Sequence, residues 1–142
     1  MKKTILATAA AATAAVLVLA APASAKTYIC KLTEQGKSNW IPQVVRIDHD
    51  EKSGKVTVID PLIKHYKGDP IAGEVATANS KRITYAWTLD KITNKHGGNR
   101  QFTSGLRYRI TIQRASNKAS IWAQPNGYAN QFRGKGSCEA RG

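Results

Sequence analysis

Apolar and polar residues alternate with a period of two along most of this chain, and no long stretch repeats at 3.6. The clearest run sets Ile83, Tyr85, Trp87 and Leu89 against Arg82, Thr84, Ala86 and Thr88. A second sets Leu106, Tyr108, Ile110 and Ile112 against Arg107, Arg109, Thr111 and Gln113. Each turns an apolar side to a core and a polar side to water, as in an antiparallel sheet with one solvated face. Weaker alternation predicts strands at 27–32, 55–59, 74–78, 119–124 and 128–133, and another at 41–47 in which Ile41, Gln43, Val45 and Ile47 share a face. Charged or small segments turn the chain between them: 34–39, 48–54, Asn79-Ser80-Lys81, Ser116-Asn117-Lys118 and Pro125-Asn126-Gly127. Residues 61–70 read as a loop with a short extended piece at 62–66, and 91–103 as a second loop; either has room for a short helix.

About eight short strands joined by tight turns predict an all-β fold, an antiparallel barrel or sandwich. The two cysteines, Cys30 and Cys138, stand near the chain's two ends. In an oxidising compartment such a pair forms a disulfide. That bond would make the first and last strands neighbours, which favours a barrel, and closure also removes exposed edges.

The compartment is itself legible. Lys2 and Lys3 precede an uncharged run from Ile5 to Ala21, then Pro22, then the small-x-small site Ala23-Ser24-Ala25. These are the parts of a secretory signal in order, so 1–25 is expected to be removed. Residues 26–142 then form one β-barrel domain, periplasmic or secreted, with no later segment apolar enough to be a transmembrane helix.

Charge narrows the function. The chain holds 22 lysines and arginines against 9 aspartates and glutamates, a formal +13. Without Lys2 and Lys3 the mature part carries about +11, a balance that attracts anions through its summed field. Lys91, Lys95, His96 and Arg100 surround Gly97-Gly98; Arg82, Arg107, Arg109 and Arg114 lie on strands; Arg133, Lys135 and Arg141 crowd the C-terminus. The same charges spread over a barrel would serve only solubility. Trp122 is out of phase with Ile121 and Ala123, so it faces outward if they face in, either as a contact point or as cover under a loop. Lys95, Arg100, Arg107, Arg109 and Trp122 are therefore the candidate residues for an anionic ligand or envelope polymer.

Catalytic and metal signatures are weak. His49, His65 and His96 occur singly, without ligand spacing, and Asp48, Asp50 and Glu51 provide fewer oxygens than a calcium loop needs. Gly36-Lys37-Ser38 lacks the earlier glycine of a phosphate loop and leads into Trp40-Ile41-Pro42, so it reads as a turn. No Gly-x-Ser-x-Gly elbow occurs, and no acid–base pair is placed by His65, His96, Glu74 and Asp90 in one dimension. The expectation is a non-enzymatic, monomeric binding protein without cofactor or metal.

Ser104-Gly105-Leu106-Arg107-Tyr108 matches a Ser-Gly-x-x-Tyr motif. With the leader, the terminal cysteine pair and the strands, the chain resembles the periplasmic c-type lysozyme inhibitors, small β-barrels of Gram-negative bacteria. It is similar in style to other small exported bacterial barrels. The family's second motif, Tyr-x-x-x-Thr-Lys-Gly, has a degenerate echo at Tyr128, Phe132, Arg133 and Gly134. The resemblance implies an alternative function, inhibition of lysozyme, with Ser104, Tyr108 and Arg133 as motif residues and Ser104 and Arg133 reaching the enzyme's catalytic carboxylates.

Overall fold

A computed structural model describes residues 25–96 and 98–142, without the side chains at 94–96 and 99–101. The expected leader thus lies outside the described residues apart from Ala25. The strands are β1 (Ala25–Glu34), β2 (Val44–Asp50), β3 (Val56–Ile59), β4 (Ile71–Ala78), β5 (Arg82–His96), β6 (Asn99–Gln113), β7 (Lys118–Pro125) and β8 (Phe132–Arg141). One helix, α1 (Pro61–Lys67), connects β3 to β4. The strands pair antiparallel in chain order and β8 returns to β1, so the sheet closes as a barrel, not a sandwich.

The period-two pattern fills the interior. Val45 and Ile47, Val56 and Val58, Ile83 to Leu89, Leu106 to Ile112, and Ile121 and Ala123 send their alternate side chains into one buried cluster. Within it the rings of Trp87 and Tyr108 stack 5.3 Å apart, and the Tyr108 hydroxyl donates to the Trp40 carbonyl at 2.8 Å. Farther along, the Tyr85 hydroxyl lies 2.9 Å from His49 Nδ1. The two buried tyrosine hydroxyls therefore have polar partners, whereas the Trp87 indole N–H is buried without one among the described residues.

Cys30 and Cys138 are bonded inside the barrel, directly opposed in the β1–β8 register. Their Cα atoms are 3.9 Å apart, closer than the usual bridged range of about 4.4–6.8 Å. The pairing geometry accounts for the direction of this difference. The Cys138 N–H points away from β1 and donates to the Asn117 carbonyl at 2.8 Å, so the cysteines face each other across a non-hydrogen-bonded site, the narrower of the two antiparallel spacings.

Four local expectations are corrected. Residues 41–43 are not strand: Pro42 breaks the run, Ile41 turns into the interior and Gln43 is exposed, although its carbonyl still accepts the Leu32 N–H at 2.8 Å. The extended piece expected at 62–66 is α1, because Asp60 caps it through Oδ1 on the Ile63 N–H (2.8 Å) and Pro61 begins it. Gly68, at φ +83°, ends it. The loop expected at 91–103 is the continuation of β5 and β6 as a hairpin that turns between His96 and Asn99. Finally, β8 begins at Phe132 instead of 128, and it runs through Gly134 and Gly136 despite their poor strand propensity. A Cβ on Gly136 would collide with the Lys31 carbonyl, and one on Gly134 would lie 2.8 Å from Ile41 Cγ2. Among the described residues no helix is long and apolar enough to cross a membrane.

Candidate functional site

Because Cys138 faces inward, strand alternation turns Arg133 and Lys135 outward on β8. The same rule turns Arg107 and Arg109 outward on β6, and Trp122 outward on β7 between them. Register then aligns these residues across the wall. Glu74, Ala86, Arg109, Trp122 and Arg133 form one row across β4 to β8. Thr88, Arg107 and Gln124 form the row on one side of it, and Thr111, Ser120 and Lys135 the row on the other.

The wall is concave there. A groove of about 930 Å³ runs over it, and all four cations and Trp122 line it. Its floor is low where Ala72, Gly73 and Ala86 provide little or no side chain, while arginines and Trp122 stand above it. Trp122 is half-buried against the wall, and the Arg107 guanidinium sits 6.0 Å from its ring centroid, at the outer limit of cation–π range. Arg107 also donates to Gln124 Oε1 at 3.0 Å, and Arg133 to Gln131 Oε1 at 2.8 Å.

No carboxylate comes within ion-pair distance of Arg107, Arg109, Arg133 or Lys135 among the described residues. The acids are engaged elsewhere: Asp48 with Arg46, Asp90 with Lys67, Glu51 with Lys26, Glu139 with Arg141. Several feel their partners. Burial raises the Asp48 carboxyl, but the Thr27 hydroxyl and Arg46 outweigh it and hold its pKa below the usual range. Hydrogen bonding and charge from Arg141 lower Glu139 in the same way. Glu74 is the one acid lining the groove among the described residues, and it stands at the β4 end of the central row, with Ala86 between it and Arg109.

Of the expected binding residues, the fold thus brings Arg107, Arg109 and Trp122 together. The side chains of Lys95 and Arg100 lie outside the described residues. Arg133 and Lys135 belong to this wall and not to a C-terminal crowd, since Arg141 turns to Glu139 at 3.0 Å. Arg114 is also elsewhere, donating to the Asn79 carbonyl at 2.7 Å. The phase of Cys138 in the sequence was the signal that could have placed Arg133 and Lys135 outside. Their neighbours could not be read from it.

The motif residues do not form one site. Tyr108 is buried and engaged with Trp40, whereas Ser104 is exposed near the amide of Asn126. Arg133 lies in the Arg109 row, and Arg109 is five positions farther along β6 than Ser104. Among the described residues, no three His, Cys, Asp or Glu side chains gather to hold a metal ion. His49 is turned inward to Tyr85, His65 packs on Tyr66, and Asp50 accepts from Lys52 and Ser53 within its own turn. Comparison with known family models, with curated proteins and with solved structures returned no match to this chain.

Proposed function

We propose that this is an exported, non-catalytic binding protein that takes an anionic ligand, such as an envelope component, on the outer wall formed by β6, β7 and β8. One observation carries the reading: four cations without carboxylate partners among the described residues surround a half-exposed tryptophan in a concave groove. A cation left unpaired beside an aromatic ring keeps its full attraction for an incoming anion, and a concave surface shields that attraction from solvent. A wall serving only solubility would intersperse both signs of charge. Titration of the purified protein with poly-L-glutamate at low salt tests this. We expect binding that weakens steeply with added salt. The double variant Arg109→Glu, Arg133→Glu should abolish it without changing the thermal midpoint. Absence of binding to any polyanion at low salt would reject the proposal.

A second reading, inhibition of c-type lysozyme, is favoured by the exposed Ser104 and the Ser104–Tyr108 motif match. It needs a basic protein to dock on a basic enzyme, which costs association rate and affinity, and it leaves Tyr108 without a route to the partner. A lysis assay separates the two: unchanged lysis at excess protein discards inhibition and leaves the anion-binding reading intact.

A further inference from the structure

We infer that the natural ligand of this wall is an acidic polysaccharide lying across the strands, with one pyranose ring stacked on Trp122. This rests on the anion-binding reading and specifies its ligand. Neighbouring strands stand about 4.8 Å apart, so Arg109 and Arg133 flank Trp122 across a span of about 10 Å. Arg107 and Lys135 each lie one same-face step, about 7 Å, along the strands in opposite directions, on the diagonal through the indole. A chain crossing this face with one ring on the indole therefore carries acidic groups on either side of that ring over a cation.

The neutral residues decide among polyanions. Thr88, Thr111 and Ser120 stand beside the cations in the flanking rows, line the groove and offer hydroxyl groups, while the Gln124 amide is engaged by Arg107 and the Tyr128 carbonyl. A glycan has hydroxyls to satisfy all along its length, and these side chains both donate and accept. Its pyranose rings also present C–H faces that match the electron-rich face of an indole. A single-stranded nucleic acid instead wants a succession of aromatic platforms, one for each base, and among the described residues Trp122 is the one aromatic ring this groove exposes. An acyl chain wants contiguous apolar surface. The large exposed apolar side chains Phe102, Tyr128 and Val44 do not line this groove. Glu74 ends the central row with a charge that repels a polyanion, which sets the direction in which the chain leaves the cations.

Four probes of matched charge distinguish these ligands at low salt: an oligogalacturonate, a heparin-derived oligosaccharide, poly-L-glutamate and a deoxythymidine oligomer. At least one acidic oligosaccharide should bind about tenfold or more tightly than either non-glycan probe. Trp122→Ala should weaken that glycan about tenfold or more, the scale of one aromatic stacking contact, and weaken poly-L-glutamate by less, whereas an equal loss for both would overturn the stacking. Should that variant fail to fold, the wild-type indole N–H resonance of Trp122 serves instead, shifting farther with the glycan than with poly-L-glutamate at saturation. Equal binding of all four probes, or tightest binding of the thymidine oligomer, overturns the inference and leaves the anion-binding proposal standing. No binding of any probe overturns both.

Discussion

At the scale of single residues, the barrel depends on places where a side chain is missing. Gly136 lies inside β8 opposite Leu32, and the space a Cβ would need is taken by the Lys31 carbonyl, a backbone group that cannot rotate away. Gly134 leaves room for Ile41, which enters the interior from the loop before β2. These are requirements of close approach, not of backbone conformation, because neither glycine has a positive φ. We therefore expect Gly136→Ala to cost at least about 2 kcal/mol, since overpacking a rigid site forces β1 and β8 apart. Urea unfolding checks this, and a loss below about 0.5 kcal/mol, the range of a neutral surface change, would contradict the account.

Elements show how local chemistry overrides or serves the alternation. α1 interrupts an otherwise all-strand sequence because Asp60 and Pro61 stand at its start and Gly68 at its end. Asp60 is itself buried: Oδ1 accepts from the Ile63 N–H, while Oδ2 has no partner. Burial raises its pKa, against the lowering effect of the Ile63 and Leu62 N–H groups. A carboxyl raised on folding holds its proton in the native state at pH values where the unfolded chain has lost it. Stability from this group is thus greatest below its unfolded pKa and falls as pH rises through the folded value. Asp60→Asn keeps a capping oxygen without that titration. The variant should gain on the wild type from acid toward neutral pH, and a stability difference that stays constant with pH would refute the assignment. The β5–β6 hairpin makes the complementary point. Its strands persist past Asp90 and Gly105, where β4 and β7 no longer flank them, because each has the other to pair with.

For the whole molecule, closure is the decisive event. The Cys30–Cys138 bond ties positions separated by 108 in sequence, at the seam where β8 meets β1. In the chain-entropy account a loop of this size contributes up to about 5 kcal/mol by restricting the unfolded state. The double variant Cys30→Ser, Cys138→Ser should therefore melt well below the wild type. It should still fold, because hydrogen bonding along β1 and β8 closes the barrel independently and the core is complete without the bond. An unchanged melting temperature would remove the energetic role. The candidate wall lies away from that seam: β6, β7 and β8 pair consecutively, and their outward residues share a groove through those pairings.

Strand identity, inward phase and the pairing of two cysteines follow from short-range chemistry, because period two, turn residues and cysteine usage each leave a local mark. That is why Tyr85, Trp87 and Tyr108 could be assigned to the core, Trp122 to the outside, and the fold to an antiparallel barrel or sandwich. Register is different. It depends on which turn closes each hairpin and on which interior volumes fit together, as Gly134 with Ile41 shows, so no local run specifies it. Strand boundaries differed at 41–43, where Pro42 interrupts the run, and at 128–131, where the chain after the Pro125–Gly127 turn reaches Phe132 before it pairs as β8. Alternation alone could place Arg107, Arg109, Trp122, Arg133 and Lys135 outside. Only the tertiary pairing of β6 with β7 and β7 with β8 made them neighbours, because a row across a sheet is a relation among strands that no single strand contains.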